Sequence, residues 1–289
     1  MKKKNVLIWL VVAVIMFFLG GVLITVGIGL GADVSKSSKY FNINMTGELT
    51  MVTGESEKYN DVKNIDLDVD NLRVEFMQST DENYYIEYSV YDDYVIPKIT
   101  YDNGTLKVKQ EQRSFFINLD LTGLFANREE YIKIYVPQNA KLNDIDVCTS
   151  NGRIDVKQQI NVDSIKLDTN NGSINVEDVT CEGKVDIKTS NGAVKCDGTF
   201  TDEFNVKTSN GAVTLKGTYK GDVDVKTSNG RIKAEIDGKF SDYNVSLDTS
   251  NGSIVVNGEK RSDDYQVDHD ADNDIKLDTS NGSIDLDFQ

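Results

Sequence analysis

From about residue 141 apolar and polar positions alternate with a period of two, and the alternation breaks at regular intervals on the same four residues. Ile145 and Val147 precede Thr149-Ser150-Asn151-Gly152, and Ile154 and Val156 follow it. The phrase Thr-Ser-Asn-Gly returns at Thr189, Thr208, Thr227, Thr249 and Thr279, with Thr-Asn-Asn-Gly at Thr169. Its asparagines are Asn151, Asn171, Asn191, Asn210, Asn229, Asn251 and Asn281, spaced by 20, 20, 19, 19, 22 and 30 residues. Its glycines are Gly152, Gly172, Gly192, Gly211, Gly230, Gly252 and Gly282. Aligned on the phrase, the flanking apolar residues fall into columns. One runs Ile145, Ile165, Val185, Phe204, Val223, Val245, Ile275; another runs Ile154, Ile174, Val194, Val213, Ile232, Ile254, Ile284. Period-two patterning on both sides of a turn predicts two strands per repeat, apolar faces inward.

A repeat near 20 residues predicts stacked units, each burying its faces against its neighbours. A lone Asn-Gly pair between alternating runs would suggest a hairpin. Seven copies predict instead an all-β solenoid of about 20 residues per rung. Asn and Gly tolerate positive φ, so the phrase is expected to form a tight corner. Gly198, Gly217, Gly238 and Gly258 are read as a second corner. The stacked asparagines are expected to form an amide ladder, an architectural role that leaves metal or ligand binding by the carboxamides as the alternative.

The rhythm extends backward in degenerate form. Ile65, Leu67 and Val69, then Asp70-Asn71, Leu72, Val74 and Phe76, resemble a rung. Tyr101-Asp102-Asn103-Gly104 with Leu106 and Val108 resembles another. The solenoid is therefore placed at 61–289, with regular rungs from about 141 and a linker at 33–60 that has room for one strand. Two insertions interrupt it. Residues 114–127 carry Phe115, Phe116 and Phe125, read either as a packed loop or as a partner-binding or membrane-facing patch. Residues 257–274 are acidic and read as a solvent loop. Tyrosines cluster between Tyr84 and Tyr101; Tyr84, Ile86, Tyr88 and Val90 share one strand face, and Tyr85 and Tyr91 share the other as a candidate contact surface. The chain stops five residues past Ile284 without an evident cap, and end-to-end self-association is one reading of such an end.

Residues 5–32 contain no charge and exceed the roughly 20 apolar residues that cross a bilayer. Lys2, Lys3 and Lys4 precede them, which predicts a cytoplasmic N-terminus at 1–4, a single transmembrane helix and an extracytoplasmic domain at the cell membrane. A cleaved signal peptide is the alternative, although its apolar core is usually only about 7–15 residues. The net charge of −16 disfavours nucleic acid and suits cationic partners. Three cysteines make no disulfide framework. Cys196 falls in an apolar column, Cys148 in an outward one, and Cys181 near a corner.

Catalytic chemistry finds little support. His269 is the sole histidine. No nucleophile motif, phosphate-binding loop or histidine-rich metal site appears, and no catalytic, cofactor or metal residue is assigned. Asp66, Asp68 and Asp70 share a strand face, which suits weak divalent binding more than a dedicated calcium loop. Lys188, Lys207 and Lys226 are expected to stack, relieved by Asp186 and Asp224.

The run Tyr131-Ile-Lys-Ile-Tyr-Val-Pro137, with Leu142, Ile145, Val147 and Thr149-Ser-Asn-Gly152-Arg-Ile154, resembles the bacterial "putative adhesin" domains of β-strand repeats, a family of unknown function. With the N-terminal helix, the chain resembles membrane-anchored members linked to Lia-type cell-envelope stress operons. The resemblance implies a right-handed, single-stranded parallel β-helix and transfers no catalytic residue. The expectation is a non-catalytic envelope protein, a scaffold, sensor accessory or binding surface, whose partner is an envelope protein, a wall component or a cationic peptide. A surface adhesin is one alternative and a polysaccharide-active enzyme another.

Overall fold

The computed structural model describes residues 41–42, 51–91, 96–110, 117–118 and 130–289. The expected transmembrane segment 5–32 and Phe115, Phe116 and Phe125 lie outside the described residues, as does the side chain of Tyr91. Among the described residues no helix is long and apolar enough to cross a membrane. The chain divides into two units. The smaller, residues 1–48 and 113–126, contributes one described feature, a parallel pairing of Phe41–Asn42 with Ile117–Asn118.

The larger unit is an all-β stack of mostly parallel strands. Ile154 pairs with Ile174 and Ile174 with Val194, in register and fully buried. Along one wall the neighbours are Thr105–Lys109, Asn64–Val69, Lys141–Thr149, the second half of Ile154–Thr169, Val185–Thr189, Phe204–Lys207 and Val223–Thr227. Across the corner a second wall runs Tyr131–Val136, Arg73–Gln78, the first half of Ile154–Thr169, Ile174–Cys181, Val194–Phe200, Val213–Tyr219 and Ile232–Ile236. The period-two pattern has its physical meaning here: inward Ile, Val and Leu meet their counterparts one rung away, and outward residues reach solvent.

A further inward column escaped the pattern. Leu142, Val162, Cys181, Phe200 and Tyr219 are paired rung to rung beyond a strand irregularity and are all buried. Phe200, Phe204 and Tyr219 meet with ring centroids 4.7 to 5.0 Å apart. Buried Tyr219 donates its hydroxyl to the Cys196 carbonyl at 3.3 Å, and Tyr243 donates to the Tyr219 carbonyl at 2.6 Å. Gly198 and Gly217 belong to these strands, paired with each other, rather than to a corner.

The order of rungs corrects the expected open end. The last rung, Asn273–Thr279 with Ile284–Phe288, lies between Val223–Thr227 with Ile232–Ile236 and Tyr243–Thr249 with Ile254–Val256. The acidic segment explains this. It is not a solvent loop: Glu259–Arg261 pairs antiparallel with Ile254–Val256, and Asp264–Val267 with Tyr243–Thr249. That hairpin occupies the outer edge of its own rung, so the following strands take the inner edge.

The other end is built the same way. Lys98–Asp102 folds antiparallel onto Thr105–Lys109, Tyr85–Tyr91 onto Tyr131–Val136, and Met51–Glu55 onto Tyr85–Tyr91. Met51–Glu55 therefore lies inside the stretch read as a linker. Tyr101-Asp102-Asn103-Gly104 is not a corner but a hairpin tip, although Thr105–Lys109 does stack as a rung. The outermost strands are short and carry charge, which discourages pairing with other chains.

Candidate interaction surface

The repeated phrase is consumed by the architecture. Each buried Thr hydroxyl donates to a carbonyl of the adjacent rung: Thr169 to Gly152 at 3.1 Å, Thr189 to Gly172 at 3.0 Å, Thr279 to Gly230 at 3.0 Å and Thr249 to Gly282 at 2.8 Å. The same oxygen accepts the Gly N–H of its own corner at Thr149, Thr169, Thr189, Thr208 and Thr227. Outside, the Asn amides form one continuous ladder. Asn191 donates to Asn171 at 2.6 Å, Asn210 to Asn191 and Asn229 to Asn210 at 2.7 Å, Asn281 to Asn229 at 2.8 Å and Asn251 to Asn281 at 2.9 Å. Asn171 donates to Asn151, and Asn151 to Asn71, which places the degenerate Asp70-Asn71 corner in the same ladder.

The glycines are required for a reason other than the expected one. None of the seven has positive φ, nor does any of the seven asparagines. A Cβ on Gly192 would lie 1.7 Å from the Gly172 carbonyl oxygen, and one on Gly172, Gly230, Gly252 or Gly282 would lie 1.8 Å from its neighbour's. Close approach of stacked backbones excludes a side chain there. Positive φ occurs in two other Asn-Gly pairs, Asn103 (φ 48) with Gly104 (φ 77) and Asn257 (φ 51) with Gly258 (φ 75). Both are two-residue hairpin turns.

The surface that departs from the repeat lies on the outer face of Arg73–Gln78, Tyr131–Val136 and Tyr85–Tyr91. Alternation turns Tyr131, Lys133 and Tyr135 outward, and antiparallel register sets Tyr85 opposite Tyr135 and Glu87 opposite Lys133. The Tyr85 and Tyr135 rings stack at 4.3 Å and 8°. Glu87 accepts from the Tyr131 hydroxyl at 2.8 Å, Lys133 Nζ at 3.1 Å and the Tyr135 hydroxyl at 3.1 Å. Burial works to raise the Glu87 carboxyl, but these three donors outweigh it and hold it below the usual carboxylate range. The Glu87 bond raises the Tyr131 hydroxyl, and burial followed by Glu87 raises that of Tyr135.

Lys58 lies over the Tyr85 ring at 5.1 Å and bridges Asp81 at 2.7 Å. Beside them residues 78–82 and 137–139 enclose an open depression of about 690 Å³. On the next strand Asp155, only 5% exposed, is held by Arg153 at 2.8 Å, Arg73 at 3.2 Å and Asn175 at 2.8 Å. The result is a preorganised aromatic and ionic face.

Of the residues singled out from sequence, Tyr85 belongs to this face. Tyr84, Ile86 and Val90 are core, with Tyr88 packed against it. Tyr131, Tyr135, Glu87 and Lys133 were missed as a site. The only signal was Tyr-x-Lys-x-Tyr at Tyr131–Tyr135, and their assembly depends on an antiparallel partner 44 to 48 residues away.

The other candidates disperse. His269 sits edge-on to Phe240 with Nδ1 at 2.7 Å from the Tyr243 carbonyl, within the C-terminal cap. Asp66 pairs with Lys107, and Asp70 accepts from Ser150, so the three aspartates do not converge. Among the described residues no cluster of His, Cys, Asp or Glu is arranged to hold a metal. Lys188, Lys207 and Lys226 stack in register, with Asp186 and Asp224 each 2.8 Å from a lysine. Burial pushes the Cys181 thiol up to about 11 and raises Cys196 further; burial, with Asp168 and Asp68, also raises exposed Cys148. Such thiols are protonated at neutral pH and are poor nucleophiles.

A family model described as Toastrack DUF4097 matches residues 62–258. A "putative adhesin" from Bacteroides fragilis NCTC 9343 is 15% identical, with 83% of this chain and 95% of that one covered and a TM-score of 0.44. A "putative cell adhesion protein" from Clostridium sporogenes ATCC 15579 is 10% identical, with coverage of 84% and 100% and a TM-score of 0.39. A "putative lipid binding protein" from Parabacteroides distasonis ATCC 8503 is 15% identical, with coverage of 86% and 99% and a TM-score of 0.39. No curated protein matches the chain in sequence.

Proposed function

The chain belongs to the Toastrack family, DUF4097, and from that premise we propose that it is a membrane-tethered, non-catalytic binding protein of the cell envelope. Residues 5–32 anchor it, residues 1–4 stay in the cytoplasm, and the stack stands outside as a rigid support. The observation that carries this reading is the division of labour among polar side chains. The repeated Thr, Asn and Gly are engaged between rungs, whereas Tyr131, Tyr135, Tyr85, Glu87 and Lys133 form an ordered face on the non-repeating rungs. Aromatic residues with fixed charges are the chemistry that dominates recognition surfaces. The acidic domain favours a cationic peptide, or an envelope protein with a basic surface, over an anionic wall polymer. In an envelope stress response the protein would serve as a sensor accessory.

A photocrosslinker at Met77, 39% exposed beside Tyr135, tests this on intact cells carrying the full chain. Capture of a discrete partner that Tyr135→Ala abolishes, with altered sensitivity to cationic peptides on deletion, is the expected result. Loss of cell attachment on deletion, with unchanged peptide sensitivity, would replace this reading with a surface adhesin. Release of sugar fragments from wall polysaccharide by the purified chain would replace it with an enzyme.

A further inference from the structure

Nine Asn-Gly pairs occur in the sequence. Asparagine before glycine is chemically labile: the glycine nitrogen attacks Asn Cγ, ammonia leaves and a succinimide forms. Water then opens the ring to aspartate or isoaspartate. The reaction needs only water, a free glycine N–H and a side chain able to swing toward it. Asparagine lability of this kind is one reason hyperthermophilic proteins carry less of it.

The fold divides the nine pairs. In the corners at Asn151, Asn171, Asn191, Asn210 and Asn229 the glycine N–H is held by Thr Oγ1 at 3.1 to 3.2 Å. The asparagine amides are tied to neighbouring rungs, as are those of Asn251 and Asn281. Attack in those five corners requires breaking both locks, and at Asn251 and Asn281 it requires breaking the amide bond. Asn257 lacks the threonine, but its Oδ1 accepts the Phe288 N–H at 3.0 Å. Asn103 has neither restraint. It is exposed at a hairpin tip with φ 48, and its side chain makes no hydrogen bond among the described residues.

We propose that Asn103 is a spontaneous deamidation site, and that the threonine and amide ladders protect the repeated Asn-Gly pairs from the same reaction. The product matters to the N-terminal cap. The Gly104 carbonyl accepts the Lys63 N–H at 2.7 Å and the Asn64 N–H at 3.0 Å. An isoaspartate adds a methylene to the backbone at that tip, and either product adds a charge beside Asp102. The cap of the outermost rung therefore loosens as the protein ages.

The test is peptide mapping by mass spectrometry of the full chain in detergent, aged at mildly alkaline pH in isotopically heavy water, native and in denaturant. The peptide Ile99–Lys107 reports Asn103, and Thr189–Lys195 reports Asn191. In the native chain Asn103 should deamidate at least about tenfold faster than Asn191, because two hydrogen bonds must open at the latter. In denaturant the two rates should converge. Thr189→Val, which frees the Gly192 N–H while keeping the side-chain shape, should raise the native rate at Asn191. Equal native rates, a difference that persists in denaturant, or an unchanged Asn191 rate in Thr189→Val would overturn the proposal.

Discussion

The middle of the stack and its two ends use the same dipeptide for opposite purposes. Between Thr149 and Gly230, Asn-Gly turns a corner so that the next strand joins the second wall of the same rung. At Asn103-Gly104 and Asn257-Gly258 it reverses the chain, and the next strand returns antiparallel. The difference lies in what surrounds the pair. In the corners a preceding Thr binds both its own glycine and the adjacent rung, and the glycine backbone approaches its neighbour too closely for any Cβ. At the hairpins Tyr101 and Val255 stand where the corners have Thr, and both turn residues have positive φ. Glycine is thus required by packing in one region and by torsion in the other. The rigid middle fixes the register, and the ends close the edges.

One added methyl group in each region separates the two requirements. Gly192→Ala should cost more than about 3 kcal/mol or abolish folding, since overpacking against backbone has no side chain to yield. Gly258→Ala, with nothing within 4 Å of the new Cβ, should cost only about 1–2 kcal/mol for its positive φ. Denaturant unfolding of the two variants measures both, and equal losses would mean that packing and torsion are not separated.

Phe200→Ala removes a buried ring from the central aromatic cluster and should cost about 3–5 kcal/mol, shown by a lowered melting midpoint. A loss below about 1 kcal/mol would mean that the middle is not the densely packed region.

Asn191→Ala interrupts two exposed amide bonds and should cost about 1 kcal/mol, whereas Asn210→Asp should cost more by placing a charge in the ladder. No effect from either would reduce the ladder to an ornament of the corner.

The smallest effect is confined to one end. The carboxyl of Glu87 titrates below its unfolded value, so its contribution is fully present above that value and is lost as pH falls through the folded one. Hydrogen exchange at Ile86 and Ile134 should therefore quicken on acidification below about pH 4 while exchange at Val194 stays slow. Glu87→Gln should abolish the difference.

Much of the middle was legible in the sequence. Ile154, Ile174 and Val194 declare an inward face because strand side chains alternate, and their spacing places like residues on like. In the column through Val162, Cys181, Phe200 and Tyr219 only Cys181 falls out of phase, shifted by the irregularity at Asp178, where φ is 60; the other three keep the alternation, but Gln158, Gly198 and Gly217 interrupt the apolar run ahead of them. The candidate surface was half visible: Tyr85 and Tyr91 were placed on an outward strand face, but nothing local announced Tyr135 as Tyr85's partner.

The rung is therefore written locally: two strands, a Thr-locked corner and the faces of its side chains, set in the regular stretch by residues about 20 apart. The order of rungs and the closing of the ends belong instead to the folded molecule. Leu247–Ile254 and Leu277–Ile284 are the same eight residues, yet one lies outermost and the other inside it. Identical segments offer identical contacts, so their places follow from which sheet edge is already covered, a property of the folded neighbours.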